Sequence, residues 1–368
     1  MRKSVAIIGT RGYPSHYGGF ETAVRKLAPY LADRGWGVTV YGRDSTVGTE
    51  NDVDPRIRRV VTRGFDTKSL STLSFGLTAS LHAAWKKPDV ALVMNVANGF
   101  WLPLLRLRGI PTLVNVDGIE WDRAKWGRLA KVVFHVGARF TARFAKRLVF
   151  DARAIADRWE AEFRRDGVFI PYGGDLTEEL PLEGSFRHRK YVLVVARFVP
   201  ENTIDAFLDA APTISESCDV VIVGSSGYGG SFDDRVRDLA RRNHHVHWLG
   251  QLSDDRRLLS LWQHSGVYFH GHSVGGTNPA LVQAMACGAP ILARDTVYNR
   301  EVLGSRGRFT APDAASIVDA VKAVLADSAL QEQLSKEAMA RVAERYTWDS
   351  VCSAYETSLL ELVASRRE

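Results

Sequence analysis

No stretch of this chain limits its fold as much as residues 266–293. Val267, Tyr268 and Phe269 follow Gly266 as a short apolar run that reads as a buried strand. Gly275, Gly276, Thr277, Asn278 and Pro279 then form a turn with no side-chain bulk at two positions. Leu281, Val282, Met285 and Ala286 recur at helical spacing, with Pro279 suited to a first helical position and Gly288 to a stop. Ile291 opens another apolar run. The turn has two readings. In one it is an anion cradle, where free backbone N–H groups and the positive end of a helix dipole converge and the glycines admit a diphosphate. In the other it is an ordinary βα turn of a parallel-sheet domain.

The same alternation runs through the chain. Residues 4–8 read as a strand, 22–33 as a helix and 38–41 as the next strand, which together make a βαβ unit. Its polar, glycine-rich loop sits at the carboxyl end of the strand, where open α/β sheets bind ligands. That loop is not G-x-G-x-x-G and no acidic residue ends the second strand, which speaks against a nicotinamide cofactor. Gly18 and Gly19, at the helix start, are placed to approach an anion or a sugar, or simply to supply a flexible turn. Residues 57–61, 90–94, 112–116, 148–151 and 168–171 continue the strand series, with a helix over 70–85. Asp117 and Glu120 follow the 112–116 strand. They suit sugar hydroxyls or a base role, and Asp117 equally suits a cap. Residues 176–189 carry Pro181 and Gly184 and read as a linker. A second αβ series starts at Tyr191. The expected organisation is an N-terminal Rossmann-like domain over 1–175, a second over 190–345, and a C-terminal helix within 346–368.

Composition narrows the function classes. With 45% hydrophobic and 24% charged residues the chain reads as globular and well able to bury a core. No apolar stretch reaches the length of a membrane span, and the start of the chain reads as a first strand rather than a signal peptide. Cys218, Cys287 and Cys352 match no metal spacing and read as buried thiols of a reducing cytoplasm. The net charge of +6 is uneven: 28 of the 48 Lys and Arg, but only 17 of the 42 Asp and Glu, fall in residues 1–175. Much of that excess lies in residues 123–147. There Leu129, Val132, Val133, Val136, Phe140 and Phe144 form a helical stripe among Arg123, Lys125, Arg128, Lys131, Arg139, Arg143, Lys146 and Arg147. Either Arg128, Lys131, Arg139 and Arg143 meet an anionic membrane surface, or the stripe packs on the core and the cations face water. Gly137 is expected to divide this segment into two helices. No nucleic-acid motif accompanies the basic charge.

Residues 9–14 (GTRGYP), 17–22 (YGGFET), 115–121 (NVDGIEW), 124–127 (AKWG), 196–202 (ARFVPEN) and 270–288 resemble, in this order, the family 4 retaining glycosyltransferases. Among these the chain is most similar to bacterial capsule and exopolysaccharide rhamnosyltransferases. The resemblance implies an α/β fold of the GT-B type, with two Rossmann-like domains facing across a cleft and the C-terminal helix crossing back to the first. It implies transfer of a sugar from a nucleoside diphosphate, with dTDP-rhamnose the donor suggested by the subgroup, to a saccharide or lipid-linked acceptor at the inner membrane face. No metal and no further cofactor are implied. Arg197 would neutralise the diphosphate, with Asp117 and Asn202 beside the chemistry. Gly224, Gln251 and Leu252 would line the base, Gly275, Gly276, Thr277 and Asn278 would meet the sugar and diphosphate, and Gln283 the ribose. Gly18, Gly19, Phe20, Glu21 and Glu120 would face sugar and acceptor. Three positions depart from the family. Glu is absent near Ser273 and Gly275, Gln283 replaces a second Glu, and Asn202 stands where a Lys is usual. These departures keep open a non-catalytic sugar-nucleotide-binding protein, and the same architecture keeps open an epimerase.

Overall fold

The computed structural model describes residues 2–14, 19–43, 53–65, 71–123, 126–227, 229–252 and 254–366. The chain forms two compact units, Met1–Tyr172 together with Trp348–Glu368, and Gly173–Thr347.

In the first unit the short β-branched runs become strands β1 (Ser4–Ile8), β2 (Gly37–Gly42), β3 (Arg58–Val61), β4 (Val90–Met94), β5 (Thr112–Asn115), β6 (Arg147–Phe150) and β7 (Val168–Phe169). Among the described residues they form one parallel sheet in the order β3-β2-β1-β4-β5-β6-β7. Helices α1 (Gly19–Asp33), α2 (Ser71–Lys86), α3 (Leu102–Leu107), α4 (Arg128–Phe144) and α5 (Arg153–Phe163) connect them. β4 is buried at every position, as a strand covered on both faces must be. The winding reverses between β1 and β4, so the carboxyl ends of those strands mark a binding crevice.

The second unit repeats the pattern. Strands β8 (Tyr191–Val195), β9 (Asp219–Val223), β10 (Val246–Trp248), β11 (Val267–His270), β12 (Ile291–Arg294) and β13 (Arg308–Thr310) pair in parallel in the order β10-β9-β8-β11-β12-β13. Its reversal lies between β8 and β11, where Phe269 stands opposite Val194. Helices α6 (Ile204–Ser215), α7 (Ser231–Arg242), α8 (Asp255–His264), α9 (Pro279–Ala286), α10 (Val297–Leu303), α11 (Ala314–Ala326) and α12 (Ser328–Arg345) complete it. The last helix, α13 (Trp348–Ala364), belongs to the first unit. Its Trp348, Val351, Tyr355 and Leu359 share a core with Val24, Leu27 and Leu31 of α1.

Three local features differ from the sequence reading. Helix α1 starts at Gly19 rather than Thr22. Residues 176–189 are not a free linker but part of the second unit. Arg189 there donates to Ser265 O (2.9 Å) and Gly288 O (3.0 Å), and Phe186 packs on Tyr191. Helix α4 runs unbroken through Gly137. A Cβ at Gly137 would lie 2.6 Å from Val96 O, and one at Gly99 would lie 2.2 Å from Gly137 O. The glycine therefore serves close approach of α4 to the 3₁₀ turn Val96–Trp101. This turns Gly137, Ala138 and Thr141 inward, so the buried face is not the apolar stripe. Leu129 is 79% and Val132 58% exposed.

Cys287 and Cys352 are buried and Cys218 half-buried, all as free thiols. Burial pushes the Cys218 and Cys287 thiols up to about 11. Among the described residues no helix is long and apolar enough to cross a membrane.

Candidate functional site

The carboxyl ends of β8, β9 and β11 gather the sequence motifs of the second unit. Gly224 closes β9 with φ 130°, and a Cβ there would lie 1.8 Å from Ala196 O. Its N–H donates to Gly250 O (2.7 Å) and its carbonyl accepts from the Trp248 indole (2.9 Å). Only glycine lets these strand ends come so close, and Gly224 thereby fixes where the next residue after β8 leaves the sheet. Gln251 is exposed beyond Gly250, while Leu252 packs on the core beneath α9.

That next segment carries Arg197. Its carbonyl accepts from Val199 N (3.0 Å) and from Asn202 Nδ2 (2.9 Å). The guanidinium itself is exposed and has no partner among the described residues. Asn202 is buried, and its amide holds the Arg197 loop in shape. The 3₁₀ turn Pro200–Asn202 is then stitched to the loop after β11. Ser273 donates to Glu201 O from its N–H (2.9 Å) and its hydroxyl (2.8 Å), and Thr203 Oγ1 donates to Gly271 O (2.5 Å). Asn299 Nδ2 braces the same loop through His272 O (2.9 Å). His270, at the end of β11, is fully buried and stacks on His272 with ring centroids 4.4 Å apart. Burial, and then the His272 ring, hold its pKa well below the usual imidazole value, so it stands neutral.

Pinned at its start, the loop leads into α9. Gly275 adopts φ 101°, and the N–H groups of Gly275 and Gly276 have no acceptor among the described residues. Thr277 is buried. Asn278 caps α9 by accepting from Ala280 N (3.0 Å), and Pro279 occupies the first turn. Two open glycine amides ahead of a helix N-terminus are what an anion cradle requires.

Gln283 is committed elsewhere. Its Oε1 accepts from Asp175 N (3.0 Å) and its Nε2 donates to Asp175 O (2.9 Å), a two-point clamp on the main chain. Gly174 beside it lies so near Val282 O that a Cβ would come within 2.9 Å. The resemblance placed Gln283 on a ribose; the structure gives its amide to Asp175. A clamp of this kind needs an amide, because a carboxylate has no N–H for Asp175 O. Gln283→Glu is therefore expected to cost about 1–3 kcal/mol, read as a lower urea midpoint. An unchanged midpoint would show that the clamp carries no weight.

In the first unit the loop after β5 turns at Asp117, which has φ 63°. Its N–H donates to Asn115 Oδ1 (3.0 Å) and its carboxylate accepts from Asn95 Nδ2 (3.3 Å). Glu120 is buried, with Oε1 2.7 Å from Arg123 Nε and Oε2 accepting from the Trp126 indole (2.7 Å). Glu21, in the first turn of α1, accepts from Arg11 N (3.1 Å) and closes the loop between β1 and α1. Gly19 begins that helix and Phe20 leans on the core, whereas Gly18 lies outside the described residues. The sequence reading missed Asp151 and Tyr172. Tyr172 is buried, and burial first, then Asp151, Asp117, Tyr355 and Glu21, raise its pKa well above the usual phenol value. Asp117 and Asp151 both follow strand ends at the carboxyl side of this sheet, after β5 and β6. An acid closing the apolar run before it was the available signal for Asp151. On α4, Arg128, Arg139 and Arg143 are exposed and Lys131 half-exposed.

Comparison with known proteins fits this geometry. Residues 18–173 match the family described as glycosyl transferase 4-like domain, and residues 178–341 that described as glycosyl transferases group 1. The phosphatidyl-myo-inositol mannosyltransferase of Mycobacterium leprae is 32% identical over 218 residues, which cover 55% of this chain and 57% of that protein. The match thus spans little more than half of that relative. Sucrose-phosphate synthase from Thermosynechococcus elongatus superposes with a TM-score of 0.81 at 19% identity, covering 99% of this chain and 100% of its own. Anabaena HepE, solved with UDP-glucose, superposes with 0.74 at 16% identity, covering 98% and 99%. The chain is therefore a GT-B protein built from a glycosyl transferase 4-like domain followed by a group 1 glycosyl transferase domain.

Proposed function

We propose that this protein is a glycosyltransferase that moves a sugar, with retention, from a nucleoside diphosphate to a saccharide or lipid-linked acceptor. The observation that carries this reading is the pair of open Gly275 and Gly276 amides ahead of α9, on a loop laced to the segment bearing Arg197. The amides, the helix dipole and Arg197 stabilise the diphosphate as it departs, with Asn202 holding the Arg197 loop. In the transfer step the bond from the anomeric carbon to the diphosphate oxygen breaks. The acceptor oxygen bonds that carbon on the same face, and its proton passes to the departing phosphate. Asp117, held at the end of β5 by Asn95 and Asn115, would orient sugar or acceptor hydroxyls. UDP-glucose, as bound by HepE, and dTDP-rhamnose, from the subgroup resemblance, are the first donors to try. Incubation with labelled donors tests the reading. Transfer to acceptor, or donor hydrolysis, supports it. Inversion at C2 of the donor sugar would make the protein an epimerase instead, and saturable binding with no turnover would make it a binding protein.

The name of the mycobacterial relative points to a lipid acceptor, and α4 supplies a face for a membrane carrying one. Exposed Leu129 and Val132 lie among Arg128, Lys131, Arg139 and Arg143. Each basic residue near an anionic surface contributes about 1 kcal/mol. Arg139→Glu with Arg143→Glu is therefore expected to lower partitioning onto phosphatidylserine vesicles by roughly 30-fold or more. Unchanged co-sedimentation would make this face merely solvated.

A further inference from the structure

Arg294 ends β12 with its side chain half-buried and, among the described residues, one side-chain hydrogen bond, from Nη1 to Thr203 Oγ1 (3.0 Å). No carboxylate pairs with it among the described residues. The adjacent Asp295 is taken by Arg300, at 2.5 and 2.7 Å. A guanidinium carries five N–H donors, so most of this one's capacity is unspent. Burial without a counter-charge pulls its pKa below the ordinary arginine value, though an arginine stays charged at neutral pH. A desolvated, unpaired cation costs free energy and is usually compensated by an anion.

The chain of contacts ties Arg294 to the loop that bears the open amides. Thr203 Oγ1 accepts from Arg294 and donates its own hydroxyl hydrogen bond to Gly271 O, on the first residue of the loop that carries Gly275 and Gly276. Thr203 does so at φ 57°, a strained conformation that is an outlier for a β-branched residue. Its hydroxyl gives that strain a purpose. In the sheet β11 lies between β8 and β12. Arg197 follows β8 and Arg294 ends β12, so a guanidinium stands at the strand end on either side of the β11 loop. Position 202, next to Thr203, holds an uncharged amide already bound to Arg197 O.

We infer that Arg294 is a second cation of the diphosphate site, supplying from β12 the charge that Asn202 does not carry. The inference rests on the donor reading above and adds to it a residue that this reading does not use. With it the leaving diphosphate meets two positive charges and two glycine amides. Such a pair of cations recognises a diphosphate better than a monophosphate, because one phosphate group leaves one cation unpaired.

Isothermal titration of the full chain with UDP, UMP and uridine, and with the dTDP series, tests this. Arg294→Ala is expected to weaken diphosphate binding roughly tenfold or more and nucleoside binding less than about twofold. Retained nucleoside binding in Arg294→Ala shows that the fold survives. Arg294→Lys should restore part of the loss as a point charge, and the salt dependence of diphosphate affinity should be shallower in the alanine variant. Thr203→Ser, which keeps the hydroxyl, should bind as the parent does, and Thr203→Val should show a smaller, diphosphate-selective loss. If Arg294→Ala binds diphosphates normally while Arg197→Ala does not, the inference falls and the donor reading stands. If the parent chain binds no nucleoside diphosphate at all, both fall together.

Discussion

Replacing Arg197 by alanine is expected to weaken nucleoside-diphosphate affinity by roughly 10- to 100-fold, as loss of a hydrogen bond to a charged group would. Turnover is expected to fall further, by about 10²–10³, because charge on the diphosphate grows as the sugar departs. The structure explains why this residue carries so much. Its carbonyl is held twice, by Val199 and Asn202, while its guanidinium is exposed with no partner among the described residues. The backbone cost of orientation is already met and the charge is unspent. Arg197→Lys should fall between, keeping charge but losing the planar fork. Titration with UDP and a donor-hydrolysis assay read both effects. Equal affinities for the parent and the alanine variant would remove Arg197 from the site.

The largest stability effect is expected at Gly224. An alanine there would place its Cβ 1.8 Å from Ala196 O, at a φ of 130° that side chains rarely adopt. Neither obstacle relaxes alone, because Gly224 is tied to Gly250 on one side and to the Trp248 indole on the other. Gly224→Ala should destabilise the second unit by more than about 4 kcal/mol, the range reached when overpacking and backbone strain coincide. Denaturant unfolding followed by circular dichroism should show an early transition. A wild-type curve would mean that the ends of β8 and β9 separate without cost.

What could be read in advance, and what could not, follows from how local each signal is. β1, β4, β8 and β11 are short apolar runs closed by glycine or a polar residue, and a strand covered on both faces needs little else. The turn at residues 275–279 was legible for the same reason, since glycine, asparagine and proline act on their own backbone. Gly137 was misread because a mid-helix glycine weakens a helix in isolation, while the carbonyl of Val96 that demands it lies some forty residues away. The basic segment was legible as a helix but not in its orientation. Close packing of Gly99 against Gly137 overrode the apolar stripe and turned Thr141 inward. Gln283 is similar: nothing near it announces that Asp175 takes both ends of its amide. Arg294 carried no signal at all, since an isolated arginine after a strand looks like surface charge until its missing carboxylate is seen.

Helix α13 returns to the first unit after the whole of the second has been made. Its Trp348, Tyr355 and Leu359 complete the core begun by α1. On the ribosome, then, the earliest residues must wait with an open apolar flank while the later sheet forms and closes ahead of them. Order of synthesis and order of completion are reversed in this chain. A stop codon just before Trp348 would spare the second unit and leave the half made first unfinished.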